Sequence, residues 1–388
     1  MFPRALESPV KFSVLGLTYL ICVTLAACSS SPQPIICGGA SGGALCMNPN
    51  PLLYATTTSN QVLPFSISNS SGSLTPLTAA AGPANSGSIA NLGHFLMFDD
   101  PSTNAVDSYQ VTGVGTLTTV QGSPFPLGTA VGGPTSILAA PYGFFYATEP
   151  NGTILGFSTP DDGTLTAAVP DSPFPAGTAP SQMAVSILNP TSPGIAALYA
   201  SEEGPSSGIL AYTINSSGSL TPVANSPFPT LADWSSGSLL VANSYLYVSL
   251  TSNASLTDFG KVAAFAVDLN SGSLTAVPGS PFAVGNAPSA MAVDSSNHLF
   301  VMNAGDHTVS AFNIESNGML TAIGSPVAAG TATGGIALYP PYLYAADTNA
   351  GNILIFHIDP STGALSSAGS MKVASPPLEL TVVNLPTV

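Results

Sequence analysis

One tetrapeptide constrains this chain more than any other feature. Gly-x-Leu-Thr, or Gly-x-Leu-Ser in the final copy, begins at Gly72, Gly115, Gly163, Gly218, Gly272, Gly318 and Gly363, at intervals of 43 to 55 residues. Six or seven residues before each glycine stands an aromatic residue in an alternating stretch: Phe65, Tyr109, Phe157, Tyr212, Phe265, Phe312 and Phe356. Further upstream lies an aromatic-rich run, such as Leu53-Tyr54-Ala55, Phe145-Tyr146-Ala147, Leu198-Tyr199-Ala200, Leu246-Tyr247-Val248 or Leu343-Tyr344-Ala345. Between copies come a Ser-Pro-Phe element (Ser123, Ser172, Ser226, Ser280), a Gly/Pro loop, and a small apolar run such as Met183-Ala184-Val185 or Met291-Ala292-Val293. Self-similarity at a fixed period marks a repeat architecture, in which each unit buries its faces against its neighbours.

Each unit reads as four strands: a small inner strand a, an aromatic strand b, an alternating strand c, and a strand d opening with Leu-Thr. A four-stranded unit of about 40 to 50 residues is a propeller blade, so the sequence predicts an all-β, seven-bladed β-propeller over residues 52–383. Small residues suit strand a because seven such strands converge on the axis. The glycine before Leu-Thr suits the positive φ of a hairpin turn. The 38 Gly and 36 Pro, set in a chain that is 45% hydrophobic, read as strand punctuation rather than disorder. A β-solenoid or a pair of sandwiches would show shorter repeats or none. The ends predict how the ring closes: the first unit begins at strand b, near Leu52 to Thr56, and the chain ends with a surplus strand at Leu380-Thr381-Val382-Val383. That strand fits the vacancy in the first blade and leaves no unpaired edge there. Residues 384–388 form a short tail.

The N-terminus carries a targeting pattern. Arg4 and Lys11 precede an apolar run from Phe12 to Ala27 that ends in Leu25-Ala26-Ala27-Cys28. A positive start, a short apolar stretch and small residues before a cleavage point make a signal peptide over 1–27; about 16 apolar residues are few for a membrane span. Leu-Ala-Ala-Cys resembles the lipobox of bacterial lipoproteins. That resemblance implies lipidation of Cys28, and Ser29 after it implies outer-membrane delivery facing the periplasm. Residues 28–51 then read as a Ser/Pro/Gly tether. Within it, Cys37 and Cys46 are placed for a small disulfide loop in an oxidising compartment.

The pattern of Leu-Tyr-Ala, an aromatic in strand c, Gly-Ser-Leu-Thr, then Gly-x-Ala-Pro-Ser-x-Met-Ala-Val resembles the lactonase-type seven-bladed propellers. That group includes bacterial 6-phosphogluconolactonase relatives. The resemblance implies the fold and a sugar-lactone hydrolase as one activity. Enzymes of the group use Arg, His and acidic side chains in the central cleft. Here the charge balance departs from them. The cations are Arg4, Lys11, Lys261 and Lys372, so the processed chain keeps two Lys, no Arg and eighteen of nineteen carboxylates. Nucleic-acid binding, which neutralises phosphates with Lys and Arg, is thereby excluded, and phosphorylated lactones are disfavoured.

Topology says where a site should lie. The b–c and d–a loops share one face, and loops on a rigid scaffold are where function concentrates. Asp99, Asp100, Glu149, Glu202, Glu203, Asp306 and Asp347 fall on the b–c side, the d–a loops add Asp233 and Trp234, and His307 lies beside Asp306. His94 and His298 belong to the opposite face, and His357 to a strand c. Three readings follow: carboxylates that solvate turns, a face that binds a cation, sugar or envelope protein, or a hydrolase. In the binding reading, Asp99, Asp100, Glu149, Glu202, Glu203 and Trp234 contact the ligand, and converging oxygens suit a hard cation such as Ca²⁺. No spacing here matches a defined calcium loop, and no motif calls for a resident cofactor. In the catalytic reading, His307 is a general base oriented by Asp306 or Asp347. The chain has no Gly-x-Ser-x-Gly, His-Glu-x-x-His, phosphate-cradling Gly-x-x-x-x-Gly-Lys or Cys-x-x-Cys.

Overall fold

The strands follow the repeat closely. The computed structural model describes residues 51–384, except 84, 129–132, 193, 203–207, 254–258 and 333. The expected signal peptide and tether, with Cys28, Cys37 and Cys46, lie outside the described residues, as do Glu203 and the tail from 385. The described residues contain strands and turns but no helix. They form seven antiparallel sheets, each ordered a-b-c-d. In the fourth blade these are Pro180–Ile187, Ala196–Glu202, Gly208–Ile214 and Leu220–Pro222. The seven a strands, Ile89–Leu92, Ser136–Ala140, Pro180–Ile187, Trp234–Ala242, Pro288–Val293, Ile336–Tyr339 and Pro377–Val383, touch one another in a closed cycle, so they line the axis.

Closure occurs where the sequence predicts it. Pro377–Val383 pairs antiparallel with Leu52–Thr57, matching Leu52 to Val383 and Tyr54 to Thr381. The last strand thus becomes strand a of the first blade, and its backbone hydrogen bonds lock the first and last strands of the propeller together.

The outer edge differs from expectation. Ser-Pro-Phe, read above as a connector between blades, is part of the sheet. Leu220–Pro222 pairs with the far end of strand c, and Phe228–Pro229 returns to pair with its beginning. Between the two pieces one strand-c N–H has no strand partner, and the repeated serine accepts it. Ser226 Oγ takes the Ala211 N–H at 2.9 Å, and Ser123, Ser172 and Ser280 do the same for Ser108, Gly156 and Ala264. All four of these Ser-Pro bonds are cis.

The core is seven layers, one between each pair of neighbouring blades. Strand b is buried on both sides, so alternate residues face opposite neighbours: Leu53 packs toward the seventh blade and Tyr54 toward the second. This explains why strand b reads as a nearly continuous apolar run. The tyrosines also carry a directional contact. The hydroxyls of Tyr54, Tyr146, Tyr199, Tyr247 and Tyr344 each donate to the carbonyl of the Gly-x-Leu glycine of the next blade: Gly115, Gly218, Gly272, Gly318 and Gly72, at 2.6 to 3.1 Å. All five side chains are fully buried, and burial pushes their phenol pKa values up.

The glycine is obligatory for two reasons at once. Gly218 has φ +82°, and a Cβ there would lie 2.5 Å from the Phe144 ring of the preceding blade. We expect Gly218→Ala to destabilise the fold by at least about 2 kcal/mol, because backbone strain and overlap add. Tyr199→Phe should cost about 1–2 kcal/mol by stranding the buried Gly272 carbonyl. Denaturant unfolding midpoints test both, and wild-type stability in Gly218→Ala would contradict the account.

Candidate functional site

Strand register fixes which residues share a face. Trp234 opens strand a of the fifth blade opposite Ser252 at the exit of strand b, and Lys261 enters strand c opposite Leu250. The exit of strand b is one register position around the wheel, filled by Thr57, Asp100, Glu149, Glu202, Leu250, Asn303 and Asp347. Four of these seven are carboxylates, and the sequence expectation of an acidic face rests on them.

Their hydrogen bonds point back into the turns rather than out to solvent. Asp100 accepts the Ser102 N–H at 2.9 Å, with the Ser102 and Thr103 hydroxyls at 2.5 Å. Glu149 accepts from Asn151 at 3.2 Å and Thr153 at 2.9 Å, holding its own b–c turn. Glu202 reaches to the d–a loop, taking the Thr178 N–H at 2.9 Å and hydroxyl at 3.0 Å. Asp347 joins both kinds of loop, accepting from the Thr331 hydroxyl at 2.6 Å and the Ala350 N–H at 3.0 Å. Asp99, one residue earlier on strand b, binds the Ser86 hydroxyl at 2.6 Å and the Ser88 N–H at 3.0 Å. Asp306 takes the Asn286 N–H at 2.6 Å. These carboxylates fasten loops to blades.

Burial and hydrogen bonding divide them electrically. Burial alone would raise Asp100, but the bonds from Ser102 and Thr103 outweigh it and lower its pKa. At Asp99 burial wins and the pKa rises. Asp107, on strand c of the same blade, is pushed up to about 6 by burial and then by the charge of Asp100.

No hydrogen bond joins the members of the expected catalytic group. His307 lies in the b–c turn of the sixth blade with φ +54°, its carbonyl accepts the Ala329 N–H at 2.7 Å, and its buried Nδ1 has no hydrogen-bond partner. Among the described residues, the histidine within 4 Å of a carboxylate is His298, whose Nδ1 is 2.8 Å from Asp294. That pair closes an a–b turn on the opposite face. Neither Asp306 nor Asp347 holds His307. Among the described residues no three His, Cys, Asp or Glu side chains gather as a set able to hold a metal ion.

Two features escaped the sequence reading. Glu379 lies on the closing strand, its N–H donating to Thr56 Oγ1 at 3.1 Å. A Cβ on Gly335 of the seventh blade would meet its carboxylate at 2.0 Å. Burial, and then the charge of Asp99, pushes its pKa up to about 8, so it carries a proton at neutral pH. A lone acid inside the apolar run Pro377-Leu-Glu-Leu-Thr-Val-Val383 was the available signal. The second feature is Lys261, whose ammonium lies over the Trp234 ring, 4.6 Å from its centroid.

Comparison with solved structures returns propellers along the whole described length. The periplasmic gluconolactonase of Pseudomonas aeruginosa aligns over 87% of this chain and 99% of its own, with a TM-score of 0.69 and 18% identity. A protein from Bacteroides uniformis described as a candidate 6-phosphogluconolactonase aligns over 87% and 100%, at 0.68 and 19%. One from Bacteroides fragilis, described in the same way, aligns over 88% and 100%, at 0.65 and 20%. The fold is that of the lactonase-type seven-bladed propellers. No protein-family model matches the chain, and no curated protein matches it. At these identities the lactonase-type likeness speaks for architecture, since one fold hosts many chemistries.

Glu379 gives this lactonase-type wheel a pH signature. Its pKa is about 8 when folded against an ordinary 4.5, so between those limits the folded chain holds a proton that the unfolded chain releases. Stability is therefore full below about pH 4.5 and falls as pH climbs toward 8. Asp107 adds a decline of the same sign that ends near 6. Denaturant midpoints should fall between pH 6.5 and 8.5 in the wild type and stay flat in Glu379→Gln. An equal decline in that variant would refute the assignment.

Proposed function

We propose that this chain is an exported lipoprotein, anchored to the outer membrane through Cys28 and facing the periplasm. In that reading it presents a monomeric propeller as a rigid module that binds a carbohydrate-like ligand or an envelope protein. The observation that carries the reading is the use of Asp100, Glu149, Glu202 and Asp347 as loop fasteners. Loops so held form a preorganised surface, which lowers the ordering cost of binding. The same bonds engage both oxygens of Asp100 and Asp347 and one each of Glu149 and Glu202.

A second reading, a hydrolase opening sugar lactones, draws support from Glu379. A carboxyl that holds its proton near pH 7 suits a general acid, giving that proton to the ring oxygen as the acyl C–O bond breaks, after water has added to the carbonyl carbon and lost a proton to solvent. The processed chain from Ser29 separates the readings. We expect no ring opening across a panel of neutral sugar lactones, with or without divalent cations; turnover lost in Glu379→Gln would establish the hydrolase instead. In cells, Cys28→Ala should leave unacylated precursor, and normal membrane attachment of that variant would refute the anchor.

A further inference from the structure

The outer edge of the seventh blade breaks the pattern of the other six. In those six no run of strand d exceeds three residues, and proline stands in it or between its pieces: Pro76, Pro124, Pro173, Pro227, Pro281 and Pro326. Proline has no N–H to offer, so such an edge is a poor start for a further strand. In the seventh blade strand d is one run of eight residues, Leu365–Lys372, without a proline. Register shows what has been replaced. Phe282 pairs with Val262, the second residue of strand c in the fifth blade, as Met371 pairs with Ile353 in the seventh. Gly369 therefore stands where Ser280 accepts the strand-c N–H, and Ser370 stands in the place of Pro281.

The backbone of this strand is open to approach. Six of its eight residues are exposed, and five of those are Ser, Ala or Gly, so no large side chain screens the edge. In an antiparallel pair, residues turn their N–H and C=O groups alternately toward the partner strand and away from it. At one end the Asp359 N–H bonds the Ala364 carbonyl, and at the other the Val373 N–H bonds the Gly351 carbonyl. Carried along the register, these bonds turn Leu365, Ser367, Ser370 and Lys372 outward, with Ala368 as the extra residue of a bulge. Lysine on an edge discourages pairing when it lies across it. Lys372 is the last residue of the run, and its ammonium is turned back to the Ala350 carbonyl of the b–c turn. The two ends differ in charge. Asp359 holds the turn that opens the strand, accepting the Ser361 N–H at 2.9 Å and hydroxyl at 2.6 Å, and these bonds lower its pKa. Lys372 closes the strand.

We propose that Leu365–Lys372 is a docking edge for an extended segment of a partner protein, which adds as an outermost antiparallel strand with an acidic residue beside Lys372 and a basic residue beside Asp359. The strands of this blade are all antiparallel. An antiparallel guest begins beside Lys372 and ends beside Asp359, so its acid comes first and its base last. Main-chain hydrogen bonds supply the affinity, and the end charges set the direction. The proposal goes beyond the binding reading above and uses none of the four carboxylates on which that reading rests. Lactone turnover would sink that reading and leave this edge untouched.

The test titrates full-length protein in detergent, by calorimetry, with a blocked octapeptide that has glutamate first, lysine last, and alternating threonine and valine between. Binding should be saturable, and backbone hydrogen exchange over 365–372 should slow in its presence. The peptide with glutamate and lysine exchanged should bind at least about threefold more weakly at low salt, a modest factor because exposed ion pairs are weak. Ser370→Pro, which restores the residue of the other blades, should weaken binding at least about fivefold by removing an outward N–H. No binding, unchanged exchange over 365–372, equal affinity of the exchanged peptide, or wild-type affinity in Ser370→Pro overturns the proposal. Should Ser370→Pro fail to fold, the same octapeptide methylated on alternate backbone nitrogens replaces it, since that change leaves the protein intact. Binding should then be lost, and retained binding overturns the edge. A concentration-dependent dimer in light scattering that the octapeptide does not dissociate would give the edge to a second copy of the chain and overturn the proposal as well.

Discussion

Five of the seven blades are tied to the next by a phenolic hydroxyl reaching across the interface to a glycine carbonyl, and the rest of the wheel is arranged around that contact. The layers between blades are otherwise apolar and would tolerate sliding, because hydrophobic burial has no direction. A hydrogen bond does have direction, and five of them set the register of neighbours. The seams that lack a tyrosine show what the contact is for. Met97 takes the position in the second blade, and Ser108, across the strand pair from it, donates to the Gly163 carbonyl at 2.7 Å instead. In the sixth blade the position is Phe300, and the next glycine, Gly363, is met by the His298 ring, which Asp294 holds in place. The same geometry explains the glycine itself, since the ring or side chain at the start of the preceding strand b fills the space a Cβ would need.

The carboxylates follow a related logic. A protein with so few cations cannot neutralise buried acids by ion pairs, and among the described residues the one ion pair joins a histidine to an aspartate. Backbone N–H groups and hydroxyls take over that task at the ends of strand b. They keep Asp100 ionised in a buried turn, and where they are too few, as at Glu379, the acid keeps its proton instead. An acidic composition therefore becomes a set of well-held loops rather than an open ring of charge.

The fold could be read from the chain because its determinants are local and recur. A glycine at a fixed offset from an aromatic residue reports a turn with positive φ, and seven repetitions report a ring. Closure was also legible, since a first unit without strand a and a last unit with one too many admit a single pairing. Ser-Pro-Phe was misplaced because a two-residue strand has no periodicity to detect; its serine acts through one hydrogen bond to a residue 15 or 16 positions earlier. The face of the site could be found from topology, and the identities of its acids from composition. Their roles could not, because a carboxylate that holds a turn and one that awaits a ligand differ only in where the oxygens point. Glu379 and Lys261 depend on neighbours from other strands or blades, which no local pattern encodes.

The pairing of Leu52–Thr57 with Pro377–Val383 carries a consequence for biogenesis. The first blade's sheet is the last to be completed, since its innermost strand follows all the other blades in the chain. Until then both Leu52–Thr57 and the inner border of the nascent wheel expose unpaired amides, a surface that invites association with other chains. Removal of Pro377–Val383 would leave that border permanently uncovered.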